Sequence, residues 1–205
     1  METKYIAIFF IIMLTFNRLR LARLSATFKE KKKGEISKRW TYFLLFILYV
    51  AIIFGSILEN CLLVETLNIV ISSVGLIAYV IGLVGRNKAI KTLGKYWSTH
   101  IEVRDGQHIV QEGLYKYVRH PGYLSLIIET LSIPLMLNAY YSFLGVIFTC
   151  IPAVLIRAKF EDMEMEKKIG KKFSAYKMKT GAFIPKKLLV LKIPTLKKKH
   201  PPKTS

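Results

Sequence analysis

The feature that most constrains this chain is a series of apolar stretches, each close to the length of a membrane-spanning helix, separated by basic segments. A helix needs about 20 predominantly apolar residues to cross the hydrocarbon core of a bilayer. The chain is 52% hydrophobic and still carries a formal net charge of +19, and these values agree if the basic residues lie between apolar blocks. The pattern predicts an all-α integral membrane protein with about five transmembrane helices, at residues 3–24, 40–58, 62–85, 122–137 and 140–156.

The first predicted span has an alternative interpretation as a signal peptide. Its positive charges, Arg18, Arg20 and Arg23, follow the apolar core instead of preceding it, which favours a membrane helix. The second and third spans are predicted to form a tight hairpin with its turn at Glu59–Asn60. The last two spans are short and are predicted to form a second hairpin, joined at Asn138–Ala139.

Lysine and arginine are concentrated in alternate loops. They crowd residues 18–39, 86–119 and the chain after Arg157, whereas the two predicted turns carry none. Because basic loops remain cytoplasmic, the N-terminus is predicted outside, and the basic segments and the C-terminus on the cytoplasmic side. Residues 1–185 are predicted to form one membrane-embedded domain, and residues 186–205 a basic, flexible tail.

The positive charge also suits a nucleic-acid binder. Apolar stretches of bilayer length argue against that class, and attraction to anionic lipid explains the charge. The predicted partner is therefore the membrane and not nucleic acid. Cys61 and Cys150 lie in or beside apolar stretches, and two such cysteines predict neither a disulfide framework nor a metal site.

The longest polar segment between apolar stretches runs from Asp105 to Tyr123. It is basic and aromatic, it is broken by Gly106 and Gly113, and it ends in Arg-His-Pro at residues 119–121. It contains no Ser-His-Asp set, no metal-ligand spacing and no phosphate-binding glycine loop. A turn-rich loop of this composition beside the membrane is expected to carry function.

The segment after the last apolar stretch has a helical pattern. Arg157, Glu161, Glu164 and Lys168 recur at i, i+4, i+7 and i+11, so they share one face of a helix. Gly170 is a candidate to interrupt that helix. Arg157 and Glu161 could form an ordinary surface ion pair, worth about 0.3–0.5 kcal/mol. Their position at the membrane edge, beside the polar loop, favours a functional role.

Several of these residues have a structural interpretation that stays open. His120-Pro121 is typical of a helix start, with the proline in the first turn. Tyr115 and Tyr123 suit an aromatic belt at the membrane interface, and Arg119 suits a lipid-phosphate anchor. Glu129, inside the fourth apolar stretch, is either a functional carboxylate or a hydrogen-bonding partner of a neighbouring helix.

Two motifs taken together resemble a known family. They are G-L-Y-K-Y-V-R-H-P-G-Y at residues 113–123 and R-x-x-x-E…G-x-x-F-x-x-Y-x-x-x-T-G…P at residues 157–185. The pair is similar to the isoprenylcysteine carboxyl methyltransferases, most of all to their small five-span prokaryotic type. The resemblance extends over about residues 97–185. The wider superfamily also contains phospholipid N-methyltransferases and sterol reductases.

The resemblance implies a membrane enzyme that uses S-adenosylmethionine, bound between the polar loop, the short hairpin and the final helix. It implies that Arg157 faces the lipid or lipidated substrate and is the catalytic residue. Gln107 departs from the family pattern, where a histidine is common, and His108 lies one position along. The cofactor-binding residues that the resemblance implies are Gln107, His108, Ile109, Val110, Tyr115, His120, Pro121, Gly122, Tyr123 and Glu161.

The implied function is methylation of the C-terminal carboxylate of an isoprenylated cysteine, or of a similar membrane-embedded acceptor. A phospholipid amine N-methyltransferase is the first alternative, although a cation such as Arg157 suits a carboxylate better than an amine. An NADPH-dependent sterol-type reductase shares the Arg-His-Pro motif but generally needs a longer chain. A non-enzymatic basic membrane protein would not require this combination of motifs.

Overall fold

The computed structural model describes residues 23, 35–103 and 107–186. One short 3₁₀ turn, Gly94–Tyr96, lies before the polar loop, and a second, Gly113–Lys116, lies within it. The span predicted at residues 3–24 and the tail predicted at residues 186–205 lie outside the described residues, except for Arg23 and Lys186. In chain order the elements are β1 (Glu35–Ser37), α1 (Trp40–Leu63), α2 (Ile69–Leu93), β2 (Ile101–Val103), α3 (Pro121–Met136), α4 (Tyr140–Ile169) and α5 (Lys171–Lys179).

Helices α1, α2 and α4 are long and apolar enough to cross a membrane, and α3 is a shorter apolar helix. Large apolar side chains cover their outer surfaces; Phe54, Ile69 and Phe148, for example, are 70%, 76% and 74% exposed. A surface of this kind suits lipid and not water. The prediction of an all-α integral membrane protein is confirmed. The count of about five spans stays a prediction, because the first span lies outside the described residues.

The turn predicted at Glu59–Asn60 is wrong, since both residues are buried inside α1. The carboxylate of Glu59 accepts hydrogen bonds from the backbone N–H groups of Tyr141 and Ser142, each at 2.8 Å. The side chain of Asn60 donates to the carbonyl of Leu137 at 2.8 Å. The first N–H groups of a helix have no partner within it and favour a negative charge. The polar pair therefore does not end α1: Glu59 joins it to the start of α4, and Asn60 joins it to the residue that follows α3.

The connection between α1 and α2 lies at residues 64–68 instead. Asn68 caps α2, because its side-chain oxygen accepts from the N–H of Ile71 at 3.2 Å. The N–H of Asn68 donates to the side chain of Asn138 at 2.8 Å. Asn138 has a φ of 55°, in the left-handed region that asparagine tolerates. The second predicted turn, at Asn138–Ala139, is confirmed.

Helices α2 and α3 approach to backbone contact, because α2 presents glycines to α3. A Cβ atom at Gly75 would lie 2.7 Å from the backbone nitrogen of Met136, and one at Gly82 would lie 3.0 Å from that of Glu129. Small residues permit such close packing of membrane helices. Glu129 is 1% exposed and accepts a hydrogen bond from Arg86 of α2 at 3.1 Å. Of the two interpretations of Glu129, the structure supports the partner of a neighbouring helix.

Helix α4 continues through the segment that carries Arg157, so the helix does not stop at residue 156, where the predicted span ends. A π-helical turn at Val146–Cys150 ends two residues before Pro152 and contains the carbonyl four residues before that proline. Proline has no N–H group and its ring crowds the carbonyl four residues earlier, and a wider turn accommodates that ring. Gly170, with a φ of 66°, ends α4 as predicted, in a conformation that glycine adopts without strain.

A two-stranded antiparallel ribbon was not predicted from the sequence. Strand β1 falls in a segment predicted as a loop and pairs with β2, Ile36 opposite Glu102. The ribbon lies along the α4 face that carries Arg157. Ser37 donates to Glu164 at 3.1 Å, and Lys168 donates to the carbonyl of Val103 at 2.9 Å. The i, i+4, i+7, i+11 pattern therefore marks the face of α4 that contacts the rest of the protein.

Candidate functional site

Arg157 is buried where several distant segments of the chain meet, and it is only 3% exposed. Its Nε donates to the hydroxyl of Tyr123 at 2.9 Å. One terminal nitrogen donates to Oγ1 of Thr41 at 2.6 Å, and the other donates to the carbonyl of Thr99 at 2.7 Å. A buried guanidinium has to be satisfied by acceptors. These three acceptors come from α1, from the segment before β2 and from α3, and together they fix the plane of the guanidinium.

The hydroxyl of Tyr123 stands between Arg157 and Glu161. It accepts from Arg157 and donates to a carboxylate oxygen of Glu161 at 2.6 Å. The interpretation of Arg157 and Glu161 as an exposed ion pair along one helix is therefore wrong, because a phenol from α3 bridges them. The name arginine cluster is used below for Thr41, Thr99, Tyr123, Arg157 and Glu161.

Next to the arginine cluster, Arg119 and His120 both bind Asp162. A terminal nitrogen of Arg119 donates to Oδ2 of Asp162 at 3.0 Å, and Nε2 of His120 lies 2.9 Å from Oδ1. The imidazole stacks on the ring of Tyr123, with centroids 5.5 Å apart and an interplanar angle of 28°. The name aspartate triad is used below for Arg119, His120 and Asp162. The stacking places the triad directly against the arginine cluster.

Arg119 is not a lipid anchor, contrary to that interpretation. Its guanidinium donates to the carbonyls of Thr180 and Lys177, at 2.5 and 3.3 Å, in addition to Asp162. All three acceptors belong to the protein, and the side chain is 9% exposed. Arg119 therefore ties the polar loop to α4 and to the turn after α5.

The Thr180-Gly181 turn is a docking point for the Arg-His-Pro motif. The backbone N–H of His120 donates to the carbonyl of Ala182 at 3.0 Å, and the preceding N–H donates to the carbonyl of Gly181 at 2.9 Å. A Cβ atom at Gly181 would collide with the carbonyl oxygen of Ile184. Only glycine fits there, so the two motifs that carry the family resemblance bind each other through their backbones.

Tyr115 is buried within the protein, which does not suit a residue of an interfacial belt. Its carbonyl accepts from the hydroxyl of Tyr176 at 2.6 Å. Burial, reinforced by the negative charge of Glu161 and by Tyr176, raises the pKa of Tyr115. Burial also raises the pKa of Tyr176 to about 12. Both phenols therefore keep their hydroxyl hydrogens at physiological pH.

The other predicted cofactor-binding residues surround these groups. Pro121 is buried at the start of α3, and a Cβ atom at Gly122 would lie 3.6 Å from the ring of Trp97. In the loop segment 107–110, His108 is exposed and the other three residues are half-buried. Within the described residues, no side-chain hydrogen bond or ion pair joins residues 108–110 to the arginine cluster. The structure thus brings together His120, Tyr123, Arg157 and Glu161.

Asp162, Thr41 and the carbonyl of Thr99 were missed from the sequence. Asp162 follows Glu161 directly, so it points about 100° around the helix, toward a neighbour that only the fold reveals. Thr41 lies in the first turn of an apolar span, where a single threonine forms no pattern. A backbone carbonyl has no side-chain signal at all. The one available signal was a second carboxylate beside Glu161 in a lysine-rich segment.

Comparison with known proteins identifies the family. The sequence profile of the isoprenylcysteine carboxyl methyltransferase (ICMT) family matches residues 73–167, from within α2 to near the end of α4. YpbQ of Bacillus subtilis, an uncharacterized protein, is 33% identical over 143 residues, which cover 67% of this chain and 82% of YpbQ. The chain belongs to the isoprenylcysteine carboxyl methyltransferase family. The resemblance seen in the two sequence motifs is confirmed.

Relatives with named activities match over a smaller share of their length. Protein-S-isoprenylcysteine O-methyltransferase of Dictyostelium discoideum is 30% identical over 115 residues, 55% of this ICMT-family chain and 48% of that protein. Protein-S-isoprenylcysteine O-methyltransferase B of Arabidopsis thaliana is 26% identical over 117 residues, 56% of this chain and 59% of that protein. The chain thus spans about half to three-fifths of the length of these relatives.

A solved structure shares the fold. The structure of the eukaryotic intramembrane Ras methyltransferase ICMT superposes with a TM-score of 0.56 at 19% sequence identity. The superposition covers 68% of this chain and 51% of that one. At this identity the comparison establishes a common arrangement of helices, within which the site residues of this ICMT-family member have to be judged by their own geometry.

Proposed function

We propose that this protein is an S-adenosylmethionine-dependent methyltransferase that methylates the carboxylate of a membrane-embedded acceptor, represented by a C-terminal isoprenylated cysteine. The arginine cluster carries the proposal. It combines a buried arginine, held in place by neutral partners, with a glutamate on the next turn of the same helix, at the basic end of apolar helices.

Arg157 has the N–H groups needed to bind a carboxylate. Three of its N–H groups donate to the protein, one from Nε and one from each terminal nitrogen. One N–H group therefore remains on each terminal nitrogen. A carboxylate can accept from such a pair in a bidentate manner. Because Thr41 and Thr99 hold the guanidinium in advance, little freedom would be lost when the acceptor binds.

The residues beside Arg157 fit S-adenosylmethionine chemically. The amino acid and ribose parts of that molecule present N–H and O–H donors. Within the described residues, Glu161 has a carboxylate oxygen and His120 has a ring nitrogen that make no hydrogen bond to the protein. The ring of Phe183, 5.8 Å from the His120 imidazole, adds an aromatic wall suited to a purine. When bound, the cofactor would supply a methyl group carried by a positively charged sulfur. As the new C–O bond formed, the electron pair of the C–S bond would remain on sulfur and neutralise it.

The reaction requires the protein mainly to position the reactants and to exclude water. An ionised carboxylate is already a nucleophile, so no general base is required. The protein has to hold that carboxylate in line and to exclude water. Arg157 would orient the acceptor, and its burial indicates a region from which water is largely absent. An amine acceptor would be repelled by the guanidinium, so the cluster favours a carboxylate.

A transfer assay with labelled cofactor tests the proposal. The full-length protein in detergent micelles is incubated with methyl-tritiated S-adenosylmethionine and either N-acetyl-farnesylcysteine or phosphatidylethanolamine. We expect label in the farnesylcysteine, released by alkali as expected for a methyl ester. If label appeared only in the phospholipid, the acceptor would be an amine and not a carboxylate. Calorimetric binding of NADPH, without binding of S-adenosylhomocysteine, would refute a methyltransferase altogether.

Variants separate the two proposed roles on α4. Arg157→Ala is expected to abolish turnover and to leave binding of S-adenosylhomocysteine intact. Glu161→Ala is expected to weaken that binding, because it removes an acceptor for the cofactor. Lys159→Ala, which removes an exposed cation from the same helix, serves as the matched control. If both Arg157→Ala and Glu161→Ala retain full activity, the site assignment on α4 is wrong.

A further inference from the structure

Within the aspartate triad, Asp162 has no contact with the acceptor or the cofactor in the proposed transfer, and its geometry points to a separate role. Asp162 is 8% exposed and lies between two donors. Arg119 donates to its Oδ2 at 3.0 Å, and its Oδ1 lies 2.9 Å from Nε2 of His120. An ionised carboxylate can only accept hydrogen bonds. The hydrogen in the contact between His120 and Asp162 therefore belongs to Nε2.

The contact with Asp162 leaves one ring nitrogen of His120 for a ligand. The side chain of His120 is 6% exposed. In a neutral imidazole with its hydrogen on Nε2, the other nitrogen, Nδ1, carries a lone pair and accepts hydrogen bonds. Nδ1 makes no hydrogen bond within the described residues.

We propose that Asp162 is a positioning residue, which fixes the tautomer of His120 so that Nδ1 accepts a hydrogen bond from an N–H or O–H group of the cofactor. The identity of that ligand rests on the proposed function, whereas the tautomer is a property of the protein without ligand. The same contact sets the imidazole against the ring of Tyr123. Asp162 thereby also supports the phenol that bridges Arg157 and Glu161.

The first experiment observes the tautomer directly in the full-length protein. Histidine is labelled with nitrogen-15, and the signals of His120 are assigned by their absence in His120→Gln. We expect a protonated Nε2 and an unprotonated Nδ1 without ligand, and a change at Nδ1 toward a hydrogen-bonded nitrogen after S-adenosylhomocysteine is added. The other tautomer, with the hydrogen on Nδ1 and the lone pair on Nε2, would overturn the proposal if it prevailed in the ligand-free protein.

The second experiment removes the charge that fixes the tautomer. In Asp162→Asn, a single carbonyl oxygen replaces the two oxygens that now serve Arg119 and His120 separately. We expect a mixture of His120 tautomers and about tenfold weaker binding of S-adenosylhomocysteine, the loss of one hydrogen bond. Glu166→Gln is the matched control, since it removes a carboxylate from the same helix that accepts from Lys177 and Ser174 and not from the aspartate triad.

A double-variant comparison shows whether Asp162 acts through His120. His120→Gln alone is expected to weaken binding by a similar factor, and Asp162→Asn is then expected to add little to it. Additive losses, or an unchanged tautomer and affinity in Asp162→Asn, would refute the positioning role. If Asp162→Asn does not fold, the proposal is tested by the wild-type His120 signals and by the affinity of His120→Gln for S-adenosylhomocysteine. An affinity of His120→Gln equal to that of wild type would overturn the proposal. If wild type binds no S-adenosylhomocysteine, the proposed function fails and the ligand-free tautomer still tests the effect of Asp162.

Discussion

The phenol of Tyr123 offers the sharpest test of the arginine cluster. Tyr123→Phe removes one oxygen atom, which accepts from Arg157 at 2.9 Å and donates to Glu161 at 2.6 Å. The ring that stacks on His120 remains, so the packing of α3 is retained. The variant therefore disconnects Arg157 from Glu161 without opening a cavity of any size.

The magnitude follows from the hydrogen bonds that remain. A hydrogen bond to a charged group contributes about 1.5–3 kcal/mol. Arg157 keeps Thr41 and Thr99 as acceptors, and Glu161, which is half-buried, can turn toward water. We therefore expect the equivalent of one charged hydrogen bond to be lost from the transition state. That loss is about 2–3 kcal/mol, or a fall in kcat/KM of roughly 30- to 150-fold.

The assay measures initial rates of methyl transfer to N-acetyl-farnesylcysteine over a range of acceptor and cofactor concentrations. Most of the loss is expected in kcat, because the bridge orients Arg157 toward the acceptor. Tyr117→Phe is the control, since Tyr117 lies in the same loop and is 56% exposed. If Tyr123→Phe keeps kcat/KM within about threefold of wild type at an unchanged melting temperature, the bridging hydroxyl does not hold the site together.

Three further substitutions test the frame around the site. Gly181→Ala is expected to lower the melting temperature in detergent and to expose the Arg-His-Pro loop to protease, because a Cβ atom collides with a backbone carbonyl; unchanged proteolysis would contradict the docking turn. Glu59→Ala is expected to cost about 2–4 kcal/mol in unfolding free energy, since two N–H groups at the start of α4 lose their acceptor; the exposed Glu65→Ala is its control, and equal losses in the two variants would refute the cap. Gly82→Leu is expected to force α2 and α3 apart and to lower the melting temperature, whereas Val80→Leu, on the exposed side of α2, is expected to leave it unchanged. Equal melting temperatures for the two variants would refute the close packing of α2 and α3.

Periodicity and charge were enough to predict an apolar helical protein and the shared face of Arg157, Glu161, Glu164 and Lys168 on α4. Apolar blocks of bilayer length have few structural solutions, because every backbone polar group inside a membrane has to be satisfied internally. A spacing of i, i+4, i+7 and i+11 likewise places the four side chains on one face of a helix. These parts of the fold depend on local sequence, so the sequence contains them.

The parts that could not be predicted depend on contacts between distant residues. Glu59 and Asn60 form a polar pair between two apolar runs, and that pattern is the same for a turn as for a buried cap on another helix. The difference lies in the N–H groups of α4, far along the chain. Asp162 is a similar case, since its role depends on a loop from before α3 that meets α4 only in the folded protein.

The partners of Arg157 also bear on how the protein is made. Its acceptors Thr41, Thr99 and Tyr123 lie 116, 58 and 34 residues away in the sequence, all on segments that leave the ribosome before α4 does. A nascent chain therefore cannot assemble the arginine cluster until α4 has been inserted beside α1 and α3. Under the proposed function, incompletely inserted chains would therefore transfer no methyl group, and activity would begin only when α4 is in place.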